Sequence, residues 1–204
     1  MDFKHISVLL EESVNSLNIK PDGVYVDCTA GGGGHSAAIL SYLNEKGRMV
    51  LIDQDPDAIQ TVTERFKGDS RVTIVKNNFS NIDSILSDLR IDGVDGIVAD
   101  LGVSSHQLDT AERGFSFHHD APLDMRMSQA GKSAADIVNG YTEKALASVI
   151  LRYGEEKFAD RVAKAIVKAR ETEEIKTTLQ LAEIVSNAIP AKFRRNGHPA
   201  RKSF

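Results

Sequence analysis

The chain has a single cysteine, Cys28, and no tryptophan. One cysteine excludes an internal disulfide framework and fits a reducing compartment. No apolar run approaches the roughly 18 residues that a bilayer span needs. The opening MDFKHISVLLEESV carries acids inside its apolar stretch and lacks a signal-peptide layout. These absences predict a cytoplasmic protein with no membrane partner. No His, Cys and Asp spacing suggests a metal site, and no histidine–carboxylate–serine set suggests a hydrolase. His118 and His119 are adjacent and read as loop. No internal repeat or low-complexity tract is present. What remains is ordinary for a globular chain: 204 residues, 41% hydrophobic and 26% charged. That length buries a sizeable core as one domain, or one domain with an insertion.

The net charge of −4 conceals an asymmetry. Residues 157–204 hold 11 Lys and Arg against 5 Asp and Glu, whereas residues 1–156 hold 14 against 24. A basic end on an acidic body is a candidate surface for nucleic acid. Lys157, Arg161, Lys164 and Lys168 read either as part of that surface or as a solvated helix face. Lys192, Arg194, Arg195, Arg201 and Lys202 are denser, with Pro and Gly among them, and read as an exposed basic loop.

Three short apolar runs end in an acid. Val24–Val26 ends at Asp27 and opens into Gly31-Gly32-Gly33-Gly34; Met49–Ile52 ends at Asp53; Ile97–Ala99 ends at Asp100. Such runs, flanked by Gly and Asp, predict buried parallel strands. Between them lie helical spacings over His35–Asn44, from Asp55-Pro56 to about Lys67, and from a Ser80/Asp83 capping box to about Arg90, with a further strand at Val72–Val75. The alternation predicts an α/β fold with a doubly wound, mainly parallel sheet.

After Asp100 the texture changes. Residues 102–132 are rich in Gly, Ser, His and Asp with little periodicity, and so long an irregular stretch is usually functional. Helices are then expected at about 133–139, 142–153, 155–172 and 178–189, as a helical insertion after the fourth strand. The chain divides on this reading into an α/β domain at 1–105, a substrate-side loop at 106–132, a helical insertion at 133–197 and the start of a return to the α/β domain at 198–204. A fourth strand without a neighbour leaves an edge that invites self-association.

Ligands of open α/β sheets bind beyond the carboxyl ends of the strands. Gly32-x-Gly34-x-x-Ala37, with Asp53 about 20 residues on, fits a dinucleotide fingerprint and hence a nicotinamide oxidoreductase. Asp27 ahead of the loop fits an S-adenosylmethionine site instead, with Asp53 for the ribose and the neighbourhood of Phe79 for the adenine. The plainer alternatives are helix caps for Asp27 and Asp53, which the joint pattern disfavours, core for Phe79 and packing for His35. Cys28 reads as a small residue at a tight turn. Asp100 with Ser104 and Ser105 offers a carboxylate and two hydroxyls, which suit an amine or hydroxyl acceptor better than a carbon nucleophile.

Several runs are distinctive: His5–Leu10, Gly33–Ser36, Asp100–Asp109, Arg113-Gly114-Phe115-Ser116-Phe117, Pro122–Met127, Tyr153-Gly154-Glu155-Glu156 and His198-Pro199-Ala200-Arg201. Through them the sequence resembles the ribosomal RNA small subunit methyltransferase H family. The resemblance implies the S-adenosylmethionine-dependent methyltransferase fold and methylation of the N4 amine of a cytidine in the decoding region of 16S ribosomal RNA. It implies S-adenosylmethionine contacts at Gly33, Gly34, His35, Asp53, Phe79, Asp100 and Gln107, and substrate contacts at Ser104, Ser105 and Arg126. It assigns no catalytic residue. The family continues past the His-Pro-Ala-Arg motif with further strands and a Phe-His-Ser-Leu-Glu-Asp-type segment. The expectation is therefore a front portion that binds cofactor and RNA and turns over poorly alone.

Overall fold

The computed structural model describes residues 9–194 and 197–204; the His5–Val8 part of the first distinctive run and Arg195 lie outside them. The chain forms two compact units, to Gly102 and from Val103.

The first unit is built on four parallel strands, β1 (Val24–Asp27), β2 (Arg48–Asp53), β3 (Val72–Lys76) and β4 (Gly96–Val98), in the spatial order β3-β2-β1-β4. Helices α1 (Leu10–Ser16), α2 (Gly34–Leu40), α3 (Pro56–Arg65) and α4 (Ile82–Asp88) connect and cover them. The two central strands are apolar on both faces, as strands covered on both sides must be. Alternation then sorts their side chains. Tyr25, Met49 and Leu51 join Val14, Ile39 and Val62 on one face, while Val26, Val50 and Ile52 join Cys28 and Ile85 on the other. Each such side chain, fully buried, contributes about 1.5–3 kcal/mol. The expected α/β sheet, wound on both faces, is the observed one.

Several boundaries differ from expectation. α2 ends at Leu40, where the Ser41 hydroxyl caps back onto the Ala38 carbonyl at 2.6 Å. The Ser80/Asp83 capping box does not form. The Asn78 side chain takes the Ser80 amide instead, at 2.9 Å, and starts a 3-10 turn over Phe79–Asn81 ahead of α4. β4 ends at Val98, so Asp100 lies two residues beyond the strand. At α3 the expectation holds: Asp55 caps the helix through the Asp57 amide, with Pro56 at the first position.

The second unit is helical: α5 (Ser105–Asp109), α6 (Ala134–Gly140), α7 (Glu143–Gly154), α8 (Ala159–Arg170) and α9 (Thr178–Ala188). Leu146, Ile150, Val162, Ile166, Leu181 and Val185 form its core. α5 interrupts the stretch read as irregular. Its capping box was present in the sequence, with Ser104 and Gln107 three apart. The helix expected from 155 starts at Ala159, because Glu155 takes a left-handed turn with φ 51°.

The irregular segment is anchored by its own motif residues. Leu123 and Thr178 pair with Lys176 and Ala121 through backbone hydrogen bonds of 2.9 Å each. The buried Arg113 donates to the carbonyls of Arg126 and Met127. Gly114 has φ 71°, and a Cβ there would lie 2.4 Å from the Pro122 carbonyl. Gly154 is equally constrained: a Cβ would lie 1.8 Å from the Lys202 carbonyl. Two of the distinctive glycines therefore answer to close backbone approach. Among the described residues no helix is long and apolar enough to cross a membrane.

Candidate cofactor site

The loop after β1 is laid across the ends of the neighbouring strands. The Cys28 amide donates to the Val98 carbonyl at 2.9 Å and the Ala30 amide to the Ile52 carbonyl at 3.1 Å. Three acids stand along this rim, and each has a different surrounding.

Asp27, only 2% exposed, accepts from the Thr29 amide at 3.1 Å and the Ser36 hydroxyl at 2.6 Å. Burial pushes its carboxyl above the usual range, and these two bonds oppose the shift. It therefore ties the glycine loop to α2 from beneath. It is not the N-cap of α2, a position held by Gly33.

Asp53 ends β2 and remains half-buried. Its two oxygens accept from the Gly31 and Asp55 amides, both at 2.9 Å. Burial raises its carboxyl too, against those backbone bonds. The Gln54 amide also donates to this carboxylate, which has about four acceptor sites, so Asp53 can bind the loop and still accept from a ligand hydroxyl. Asp100 is exposed. Its amide donates to the Thr29 hydroxyl at 2.7 Å, and its carboxylate has no hydrogen-bond or ion-pair partner among the described residues.

Gly33 is left-handed at φ 74°, and a Cβ there would sit 2.8 Å from the Phe66 ring. The Gly32 carbonyl accepts from the Arg65 guanidinium. Gly34 opens α2, followed by His35, which is 7% exposed and whose Nε2 has no hydrogen-bond partner among the described residues. A buried nitrogen left so costs about 1–3 kcal/mol. Phe79 is 40% exposed on its turn. Asn78 donates to Gln54 at 3.1 Å and so ties the end of β3 to the end of β2. Gly33, Gly34, His35, Asp53, Phe79 and Asp100 thus follow the carboxyl ends of the strands of one sheet. Cys28 is buried, and burial raises its thiol pKa, which leaves it an inert thiol.

Gln107, Ser104, Ser105 and Arg126 belong to the second unit. The Gln107 side chain accepts from the Ser104 amide at 3.0 Å, completing the box of α5 whose first residue is Ser105. Arg126 is held by both oxygens of Asp124, the shortest contact being 2.6 Å, and donates to the Gly131 carbonyl. The Arg126 guanidinium holds the Asp124 carboxyl below the usual carboxylate range.

Thr29, Ser36, Gln54 and Asn78 were not legible as site residues. Their partners lie on other strand ends, and the Thr29–Asp100 contact spans 71 residues of sequence. Only the Asp-x-Thr spacing after β1 hints at one of them.

The residues of the first unit fit a nucleoside-bearing cofactor. The left-handed glycine loop carries no side chains, Asp53 offers acceptors for vicinal hydroxyls, and the unpartnered His35 nitrogen is a polar atom awaiting a partner. Among the described residues no group of three or more His, Cys, Asp or Glu is placed to hold a metal ion.

The sequence matches the MraW methylase family over residues 2–204. The chain belongs to this family. Curated relatives named ribosomal RNA small subunit methyltransferase H, from Clostridium botulinum strains Kyoto / Type A2 and 657 / Type Ba4, are each 58% identical across 100% of this chain. The same name is carried by the relative from strain Okra / Type B1, at 57% identity. This chain covers 66% of the length of each of these relatives. A solved structure from Clostridium thermocellum is 29% identical, covering 39% of this chain and 48% of its own, with a TM-score of 0.35.

Proposed function

We propose that this chain binds S-adenosylmethionine on the strand-end rim and serves methylation of the N4 amine of a cytidine in the decoding region of 16S ribosomal RNA. The partner is then the small ribosomal subunit, in the cytoplasm. The observation that carries the reading is the Asp53–Gly31 bond, which puts an acceptor carboxylate beside a bare glycine loop in a chain of the methylase family. When bound, the cofactor supplies a methyl group on a positively charged sulfur. Asp53 accepts from its ribose hydroxyls, the Gly31–Gly34 backbone lies along it, and Phe79 covers its adenine. His35 offers its unpartnered nitrogen, and Gln107 is carried forward as a further contact. Ser104, Ser105 and Arg126 face the RNA on this reading.

The exocyclic amine of cytosine is a poor nucleophile because its lone pair is delocalised into the ring. The target base leaves its stack to be reached. Asp100, whose exposed carboxylate has no partner among the described residues, would accept a hydrogen bond from the amine, align its lone pair and receive the proton that the nitrogen sheds when the methyl leaves sulfur for it. Positioning and exclusion of water supply most of the rate. Self-association would use the β4 edge, where Ile97 and Leu101 are exposed.

The test is methyl transfer from labelled S-adenosylmethionine to small subunits lacking the modification, followed by nucleoside mass spectrometry. N4-methylcytidine is the expected product. Methyl on carbon 5, or on another base, overturns the assignment of the acceptor. Tight NAD binding without S-adenosylmethionine binding overturns the cofactor.

A further inference from the structure

The cations of the second unit fall into two sets. Most arginines are taken up by the fold. Arg113 holds the carbonyls of Arg126 and Met127, and Arg170 holds those of Val138 and Tyr141 at the end of α6. Arg194 caps α9 through the carbonyls of Ile189 and Asn187. Lys202 donates to the Glu155 carbonyl at 3.1 Å, and Lys192 lies 4.9 Å from the Phe193 ring centre. The dense terminal cluster is thus largely engaged, with Arg201 its one unengaged member among the described residues.

The other set lines α8. Arg161, Lys164 and Lys168 stand three and four residues apart on one face, with Lys157 four residues ahead, just before the helix. All four are exposed. None has an ion-pair or hydrogen-bond partner among the described residues. Asp160 and Glu171 are the acids of the same helix end and its exit, and neither closes on a member of the row. Neighbours on such a face are about 5–6 Å apart, close to the step between successive phosphates of one strand. Half of the row also runs against the helix, although Lys168 lies in the favourable last turn. Lys157 and Arg161 sit at the N-terminal end of α8, where the macrodipole disfavours positive charge. Stability alone would place them at the other end.

We infer that the row Lys157, Arg161, Lys164 and Lys168 grips the phosphate backbone of the RNA substrate, in place of the terminal cluster. The inference rests on the RNA-methylating reading above. It names a surface for sequence-independent contact, which positions the strand without reading its bases.

The test compares two variants of the full chain. One carries Lys157→Gln, Arg161→Gln, Lys164→Gln and Lys168→Gln; the other carries Arg201→Gln and Lys202→Gln. Fluorescence anisotropy with a short labelled RNA hairpin across a salt series gives the slope of log K against log salt. Each lost phosphate contact lowers that slope by about 0.7–0.9. The row variant should lose roughly three in slope, and the terminal variant less than one. A variant retaining charge, with Lys157→Arg, Lys164→Arg and Lys168→Arg, should keep the slope. If the row variant does not fold, its two halves made separately should each lose about half of the effect. An unchanged slope in the row variant or its halves overturns the inference, as does an unmodified chain without salt-dependent RNA binding. Competition by polyglutamate as effective as by RNA also overturns it, marking a general anion-binding face. Isothermal titration with S-adenosylmethionine separates the two readings: its failure removes the cofactor, while the slopes still judge the row.

Discussion

The two units use polar groups in opposite ways. The first carries 9 Lys and Arg against 16 Asp and Glu, and the second 16 against 13. In the first, carboxylates gather at strand ends and accept from the amides of the glycine loop, with lone pairs to spare. In the second, guanidinium groups reach into helix ends and loops and take up carbonyls. Acceptors left over at a rim suit a ligand with hydroxyl and ammonium donors. Donors left over on a helix suit a ligand with anionic oxygens. The surplus in each unit, more than its composition, shows the chemistry it can meet.

Substitutions can break this contrast, beginning with the largest effect. Gly154→Val puts a side chain where the Lys202 carbonyl already stands. It should cost about 3 kcal/mol or more, read as a fall in the urea midpoint of the second unit. A shift below about 1 kcal/mol would mean that the backbone there can yield. Asp53→Ala should weaken S-adenosylmethionine binding by about 1.5–3 kcal/mol, the scale of hydrogen bonds to a charged group, with the fold retained. An unchanged dissociation constant by titration calorimetry would return Asp53 to a purely structural part.

Ser36→Ala removes one of two donors to the buried Asp27 carboxylate. We expect a cost of about 1–2 kcal/mol at neutral pH. The sign with pH follows from burial. Asp27 and Asp53 are both raised above the ordinary carboxylate range, so the folded unit keeps protons that the unfolded chain has released. Stability should therefore fall as pH rises from the ordinary carboxylate range through the raised values. The Ser36→Ala penalty should shrink as pH falls and Asp27 takes up its proton, and urea midpoints at two pH values test this. The smallest effect is on His35. His35→Phe removes a buried nitrogen that has no partner, so apo stability should hold or rise by up to about 1 kcal/mol while cofactor affinity falls. A joint fall would mean that the imidazole serves packing alone.

How much of this was legible in sequence depended on range. The strands, the Asp55-Pro56 start of α3 and the helices of the second half carry local signals, namely short apolar runs, a cap and helical periodicity, although the strands themselves pair with distant partners. β1 and β2 read as buried strands from their apolar runs, but which side chain meets which face is visible only in the structure. The Ser80/Asp83 box failed because a closer competitor, Asn78, took the amide first. α5 went unseen because its five residues are too few for periodicity, although its box was in plain view. At the site, Asp53 and the glycines were evident, whereas Thr29 and Ser36 acquire meaning only when distant segments meet. The motif block around Arg113 and Arg126 read as substrate-facing, yet much of its chemistry is turned inward, onto carbonyls and Asp124.

The contact between Gly154 and Lys202 also sets an order of events. The turn that ends α7 has its partner 47 residues later, where the Lys202 ammonium donates to the Glu155 carbonyl and the Lys202 backbone lies against Gly154. During synthesis, α7 and α8 can pack while the Glu155 carbonyl is still answered only by water. The gap beside Gly154 closes when residues 199–202 arrive, after the entropy of a long loop has been overcome. The close packing of that turn is therefore expected only once residues 199–202 have been made.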